Sequence, residues 1–100
     1  MLTIANFLEK LNTILLKPGM YNVQKVEDIN IIFTSEIIIH QNEYVEKWSS
    51  EFGQFVIEDI DERLSDFHWS NIIRLYSGSD SHSIELFKDL CEKFSKTYSG

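Results

Sequence analysis

The sequence predicts an all-α fold, with residues 1–100 forming a single compact domain of about five helices. Apolar residues recur at spacings of three and four along most of the chain, which is the pattern of helices with one buried face. A hydrophobic content of 43% in 100 residues is enough for one core. No linker, internal repeat or low-complexity tract interrupts the chain, so we expect one folded unit.

The first predicted helix has one apolar face and ends near Leu16. Its apolar residues at helical spacing are Ile4, Phe7, Leu8, Leu11, Ile14 and Leu15. Thr3 is the expected N-cap. Pro18 disfavours helical geometry in the residue before it, and Gly19 permits a turn. Residues 20 and 21 are therefore expected in a loop.

Residues 26–40 are compatible with a helix or with a strand. Their isoleucines favour β structure and form two dense runs. Helical spacing is kept by Val26, Ile29, Phe33, Glu36, Ile37 and His40. Glu27 and Asp28 suit the first turn of a helix, and no hairpin turn separates the two runs. We expect a helix, with the strand as the alternative.

A third helix is predicted through the aromatic middle of the chain. Its residues at helical spacing are Tyr44, Val45, Trp48, Phe52, Phe55 and Val56. Gly53 weakens this helix by roughly 1 kcal/mol without forbidding it. Ile60, Leu64 and Phe67 continue the period through an acidic segment, which is either a helical extension or a loop with one helical turn.

Two more helices complete the prediction. The fourth contains Trp69, Ile72, Ile73 and Tyr76, with Asp66 as its cap and turn residues at 77–80. The last is capped by Asp80 or Ser81. Its apolar face consists of Ile84, Phe87, Leu90, Cys91, Phe94 and Tyr98. Both tryptophans, Trp48 and Trp69, occupy inward positions and are predicted core residues.

The reactive side chains do not indicate an enzyme, a cofactor or a metal site. The histidines lie at His40, His68 and His82, with no second histidine three or four residues away. Asp66 and His68 are two residues apart and do not share a helical face. Cys91 is the only cysteine and lies on an apolar stripe, where a buried, inert thiol is expected.

The single cysteine and the N-terminal residues predict a cytoplasmic protein. One cysteine cannot form an intramolecular disulfide, so a reducing compartment is expected. Polar residues interrupt the first apolar run, so no secretory leader is predicted. No segment approaches the ~20 apolar residues of a membrane span. We therefore expect no membrane partner.

Charge gives the strongest indication of a partner. Five carboxylates lie within residues 58–66: Glu58, Asp59, Asp61, Glu62 and Asp66. Residues 43–66 hold eight carboxylates and two cations, whereas the rest of the chain is nearly balanced. Such segregated charge attracts cationic proteins and repels nucleic acid. The alternative interpretation is a solvated face that keeps a small protein soluble.

Several segments together resemble a known family. They are the KPGMY sequence of residues 17–21, the aromatic helix around Trp48 and Phe52, Trp69 with Ile72 and Ile73, and the final helix with Phe87, Leu90 and Phe94. Their order is similar to that of the small helical immunity proteins of bacterial contact-dependent growth inhibition and related polymorphic toxin systems. The resemblance covers nearly the full length. It differs at Asn22, where similar sequences commonly have glycine.

The resemblance implies a cytoplasmic protein that binds the toxic C-terminal domain delivered by sibling cells, often a nuclease. A nuclease cleft is cationic because it binds phosphates, and an acidic surface can occupy it. We expect a 1:1 complex with a nanomolar or lower dissociation constant, or about −12 kcal/mol. The five carboxylates are the expected contacts, with Tyr44 or Tyr76 as anchors. The alternative is a helical adaptor or homo-oligomer that uses the isoleucines of residues 29–39.

Overall fold

Five α-helices and two short 3₁₀ turns order the chain. The computed structural model describes residues 4–97. The helices are α1 (Ile4–Leu16), α2 (Val26–Ile39), α3 (Glu43–Ile60), α4 (Trp69–Leu75) and α5 (Asp80–Thr97). The 3₁₀ turns lie at Pro18–Tyr21 and Glu62–Leu64. The described residues contain no strand, which confirms the predicted all-α fold and the end of α1 at Leu16.

Aromatic rings from all five helices form the centre of the core. The Phe33 ring of α2 lies 4.9 Å from that of Phe7 in α1 and 5.5 Å from the indole of Trp48 in α3. It also contacts Trp69 of α4 and Phe87 of α5 edge-on. The radius of gyration, 12.8 Å, matches one compact domain of this length. Trp48 and Trp69 are buried, as predicted.

Helix α2 is the element whose sequence also allowed a strand. It buries Val26, Ile29, Phe33 and Glu36 at helical spacing and packs against α3, α4 and α5. Burial of this face outweighs the local β preference of isoleucine, which is weak and depends on context. Glu36 is stabilised inside the fold because Asn42 Nδ2 donates to its Oε1 at 3.1 Å. The helical interpretation of residues 26–40 is confirmed.

Helix α4 begins with a cap that the sequence did not predict. His68 is the N-cap, and its Nδ1 accepts from the backbone N–H of Ser70 at 3.2 Å. The prediction that Asp66 caps this helix is therefore wrong. Asp66 lies two residues before the N-cap position, and the backbone between it and Trp69 is not helical.

Helix α5 begins at Asp80, and its cap is Ser79, one residue before the first of the two predicted caps. The Ser79 hydroxyl accepts from the backbone N–H of His82 at 3.1 Å, which satisfies one donor of the first turn. Asp80 and Ser81, the predicted caps, lie inside the helix. Asp80 instead accepts from Arg74 Nη2 at 2.9 Å.

The connection between α1 and α2 is more ordered than a plain loop. Pro18–Tyr21 form one 3₁₀ turn, which corrects the prediction for residues 20 and 21. Asn22 follows with φ of 59°, the left-handed region that glycine and asparagine tolerate best. Asparagine is therefore compatible with the backbone conformation at this position. Thr3 and Tyr98, predicted for the ends of the first and last helices, lie outside the described residues.

Arg74 fixes the short helix α4 to its neighbours. Its Nε and Nη2 donate to the two oxygens of Glu27 in α2 at 2.9 and 2.8 Å, and Nη2 also reaches Asp80 of α5. This bidentate contact with Arg74 lowers the pKa of Glu27 to about 2 and raises the pKa of Arg74. The end of α4, and with it Tyr76, is held in place.

Candidate protein-binding surface

The carboxylate cluster surrounds the C-terminal end of α3. Asp61 ends the helix: its backbone N–H donates to the Ile57 carbonyl at 3.0 Å, while its own conformation is extended. Its carboxylate then accepts from the backbone N–H of Arg63, which starts the second 3₁₀ turn. The acidic segment is thus a corner with one helical turn, not a continuation of α3. We call Glu58, Asp59, Asp61, Glu62 and Asp66 the acidic corner.

Asp61 is the most constrained carboxylate of the acidic corner. Arg63 Nε donates to its Oδ1 at 3.0 Å and Nη2 to its Oδ2 at 2.9 Å. The Tyr76 hydroxyl donates to Oδ2 at 3.2 Å. These hydrogen bonds, those from Arg63 first, lower the pKa of Asp61 to about 2. The Asp61 side chain is only 14% exposed, so it organises the corner more than it faces a partner.

The other four carboxylates differ in how far they are neutralised. Asp59 Oδ2 lies 3.7 Å from Lys93 Nζ of α5, a weak ion pair. Glu58 accepts from the neutral Gln54 amide at 3.3 Å. Glu62 and Asp66 are exposed, and no ion pair joins either one to another residue in the range 4–97. Three carboxylates of the corner therefore keep their charge uncompensated: Glu58, Glu62 and Asp66.

The two candidate anchor tyrosines lie far apart, Tyr44 at the start of α3 and Tyr76 beside the residue that ends it. Tyr76 follows α4 and contacts the acidic corner through Asp61. Tyr44 lies in the first turn of α3, about 25 Å along the helix axis from Asp61. Both side chains are 49% exposed. The structure brings Tyr76, and not Tyr44, together with the predicted carboxylates.

Two apolar residues near the acidic corner were not predicted as site residues. Leu75 precedes Tyr76 and is exposed. Phe67 follows the second 3₁₀ turn and is also exposed, although its spacing predicted an inward position. The 3₁₀ turn breaks the helical period after Asp61 and rotates Phe67 outward. Apolar side chains bordered by charge are typical of protein interfaces.

A second group of carboxylates lies in the N-terminal half of α3. Glu43, Glu46 and Glu51 surround a shallow depression together with Lys47 and Ser50. The acidic region of residues 43–66 is thus divided between the two ends of an 18-residue helix, about 27 Å long. The sequence predicted the excess of charge but not this separation.

Beyond its first turn, α2 exposes several isoleucines and no charged side chain. Ile31, Ile38 and Ile39 are exposed, with Ile38 at 68%. The one charged residue between positions 29 and 39 is Glu36, which is buried. This stripe is the place where the sequence located the alternative, self-associating surface.

Comparisons with known proteins identify no family. No family model matches the chain, and no curated protein or solved structure matches it either.

Within residues 4–97, no group of three or more His, Cys, Asp or Glu side chains could hold a metal ion. No helix in this range has both the length and the apolar character needed to cross a membrane. Burial raises the pKa of the Cys91 thiol, which keeps it protonated.

Proposed function

We propose that the protein is an immunity protein that binds a cationic toxin domain through the acidic corner and Tyr76. One observation carries the proposal: an exposed aromatic ring is hydrogen-bonded into a cluster of carboxylates, three of which form no ion pair with any residue in the range 4–97. The resemblance of the sequence to small helical immunity proteins supports the same assignment. The expected partner is the C-terminal domain of a toxin, in particular a ribonuclease, bound 1:1 in the cytoplasm.

The carboxylates and the aromatic ring have different roles in this proposal. Glu58, Glu62 and Asp66 attract the Lys and Arg side chains with which a nuclease holds phosphates, and so raise the association rate. Exposed ion pairs contribute only about 0–1 kcal/mol each. Tight binding therefore depends on Tyr76 and its apolar neighbours, which lose water at the centre of the contact.

The partner to test is the C-terminal domain of the protein encoded immediately upstream of this chain. Two triple variants carry the same change of charge at opposite ends of α3. The first neutralises the acidic corner with Glu58→Gln, Glu62→Gln and Asp66→Asn. The second neutralises the other end with Glu43→Gln, Glu46→Gln and Glu51→Gln. At low salt the first should slow association roughly tenfold and the second by less than twofold. Equal slowing by both would show that only net charge matters.

The two tyrosines provide a matched pair for the affinity. Tyr76→Ala should raise the dissociation constant at least about tenfold, as for a central aromatic contact, whereas Tyr44→Ala should leave it unchanged. The tyrosines are equally exposed, so loss of general surface area cannot explain a difference. Comparable effects of the two variants would remove the acidic corner from the interface. Absence of any binding to the upstream-encoded domain would refute the proposed function itself.

Self-association through α2 is the second candidate, favoured by the exposed isoleucines. Two chains of charge −7 repel each other, and an uncharged stripe is where they can approach at least cost. Light scattering of the pure protein tests this directly. If a dimer forms, Ile38→Lys should dissociate it, whereas Leu75→Lys, at a similarly exposed apolar position, should not. A monomeric wild-type protein excludes this candidate.

A further inference from the structure

A groove runs between α1 and α5, and none of its lining residues belongs to the acidic corner. Its volume is about 740 Å³. Six residues form its mainly apolar wall: Leu8, Leu11, Leu15 and Leu16 of α1, Cys91 of α5 and Trp48 of α3. The wall from Leu8 to Leu16 is about 12 Å long. These dimensions fall in the range of small-molecule sites.

The indole N–H of Trp48 has no hydrogen-bond acceptor in the described part of the chain. The other tryptophan differs, because the Trp69 indole donates to the Ser49 hydroxyl at 3.0 Å. Among residues 4–97, every fully buried polar side-chain atom has a partner, so the Trp48 nitrogen must reach a surface. Trp48 is 3% exposed and lines the groove, and we infer that its N–H is accessible from there.

Two charged residues of α5, Lys88 and Glu92, line the same groove. Glu92 lies 4.0 Å from Lys96 Nζ, which offsets its charge, whereas no carboxylate in the described range forms an ion pair with the ammonium group of Lys88. The groove thus combines a cation and an unused indole donor with a wall of aliphatic side chains. An occupant that satisfies both donors must bring an acceptor, and an anionic acceptor forms the stronger hydrogen bonds.

We propose that this groove binds a medium-chain amphiphile with a carboxylate head. The alkyl chain lies along the leucines of α1, and the carboxylate accepts from the Trp48 indole and from Lys88. Burial of the chain supplies the binding energy, and the two donors select the head group. This site is separate from the acidic corner, so it does not depend on the proposed function.

The indole N–H resonances of the ¹⁵N-labelled protein test the proposal. Decanoate, added below its micellar concentration, should shift the Trp48 resonance and leave that of Trp69 in place, since Trp69 is bonded to Ser49. The Trp69→Phe variant assigns the two signals. Decanol and decyltrimethylammonium share the alkyl chain, and each should bind roughly tenfold more weakly, because neither offers a charged acceptor.

Two lysine variants separate the head-group contact from general charge. Lys88→Gln should reduce the affinity for decanoate to that for decanol, whereas Lys93→Gln, on the same helix but outside the groove, should leave it unchanged. An unmoved Trp48 resonance, or equal binding of the three probes, would overturn the proposal. So would a parallel shift of both indole resonances, since this indicates disruption of the fold and not binding in the groove.

Discussion

Replacing Ser83 with alanine should lower the free energy of unfolding by about 1–3 kcal/mol, the cost of a buried polar group left without a partner. The Ser83 hydroxyl is fully buried and accepts from the backbone N–H of Val26 at 3.0 Å. Val26 opens α2, so no earlier helical carbonyl is available to its N–H. The same hydroxyl donates to the Asp80 carbonyl at 2.6 Å. The variant therefore disconnects the start of α2 from α5.

Thermal and urea denaturation followed by circular dichroism measure this loss. For a domain of this size, a loss of 1 kcal/mol lowers Tm by roughly 4–8 °C, so a central value of 2 kcal/mol corresponds to about 8–16 °C. Ser95→Ala is the matched control, because Ser95 is exposed and only donates to a carbonyl of its own helix. It should change stability by less than about 0.5 kcal/mol. A Tm for Ser83→Ala equal to that of the control would refute the reasoning.

Three further substitutions have expected outcomes. Gly53→Ala should stabilise the protein by about 0.5–1 kcal/mol in urea denaturation, because alanine favours the helix more than glycine does. The added Cβ would meet Trp69 Cδ1 at 3.6 Å, an ordinary contact distance. A loss of stability would show that α3 cannot accept the methyl group. Asn22→Gly should be tolerated, whereas Asn22→Val should cost about 1–2 kcal/mol at this positive φ; equal Tm values would contradict the assigned backbone strain. Burial lowers the pKa of His68, and the unprotonated Nδ1 of this residue caps α4. The cap therefore stabilises the fold fully above pH 6.5, which is about the pKa of histidine in the unfolded chain. Its contribution is lost as the pH falls through the lower pKa that His68 has in the folded protein. His68→Asn keeps a cap that does not titrate, and its unfolding free energy should therefore depend less on pH between 7 and 5 than that of the wild type.

The helices could be predicted because their buried faces repeat along the chain. In α2 the spacing that included Glu36 was a better guide than the β preference of its isoleucines, since helical burial of that face decides the conformation. The end of α1 at Leu16 followed from local rules, because proline and glycine act on their immediate neighbours. Periodicity failed after Asp61, where a 3₁₀ turn changed the direction of Phe67.

The candidate site was less predictable because it depends on distances across the fold. Asp61 and Tyr76 are 15 residues apart in sequence, and the position of α4 is needed to show that they meet. The distance between Tyr44 and the acidic corner follows from the length of α3 only if this helix is straight and continuous, which the sequence alone did not establish. The groove could not be predicted from the sequence, because the spacing places both Trp48 and Trp69 in the core. The two tryptophans differ only in a contact that requires the fold, the hydrogen bond from the Trp69 indole to Ser49.

The hydrogen bond from Tyr76 to Asp61 means that the phenol ring is oriented before the proposed toxin domain binds. A freely rotating side chain loses conformational entropy when it is immobilised in a complex, and a ring already restrained by folding avoids part of this loss. Because the pKa of Asp61 is about 2, this restraint persists at physiological pH. Asp61→Ala would consequently weaken recognition without removing any atom that meets the partner. Alanine scanning alone would then misassign a supporting residue as a contact.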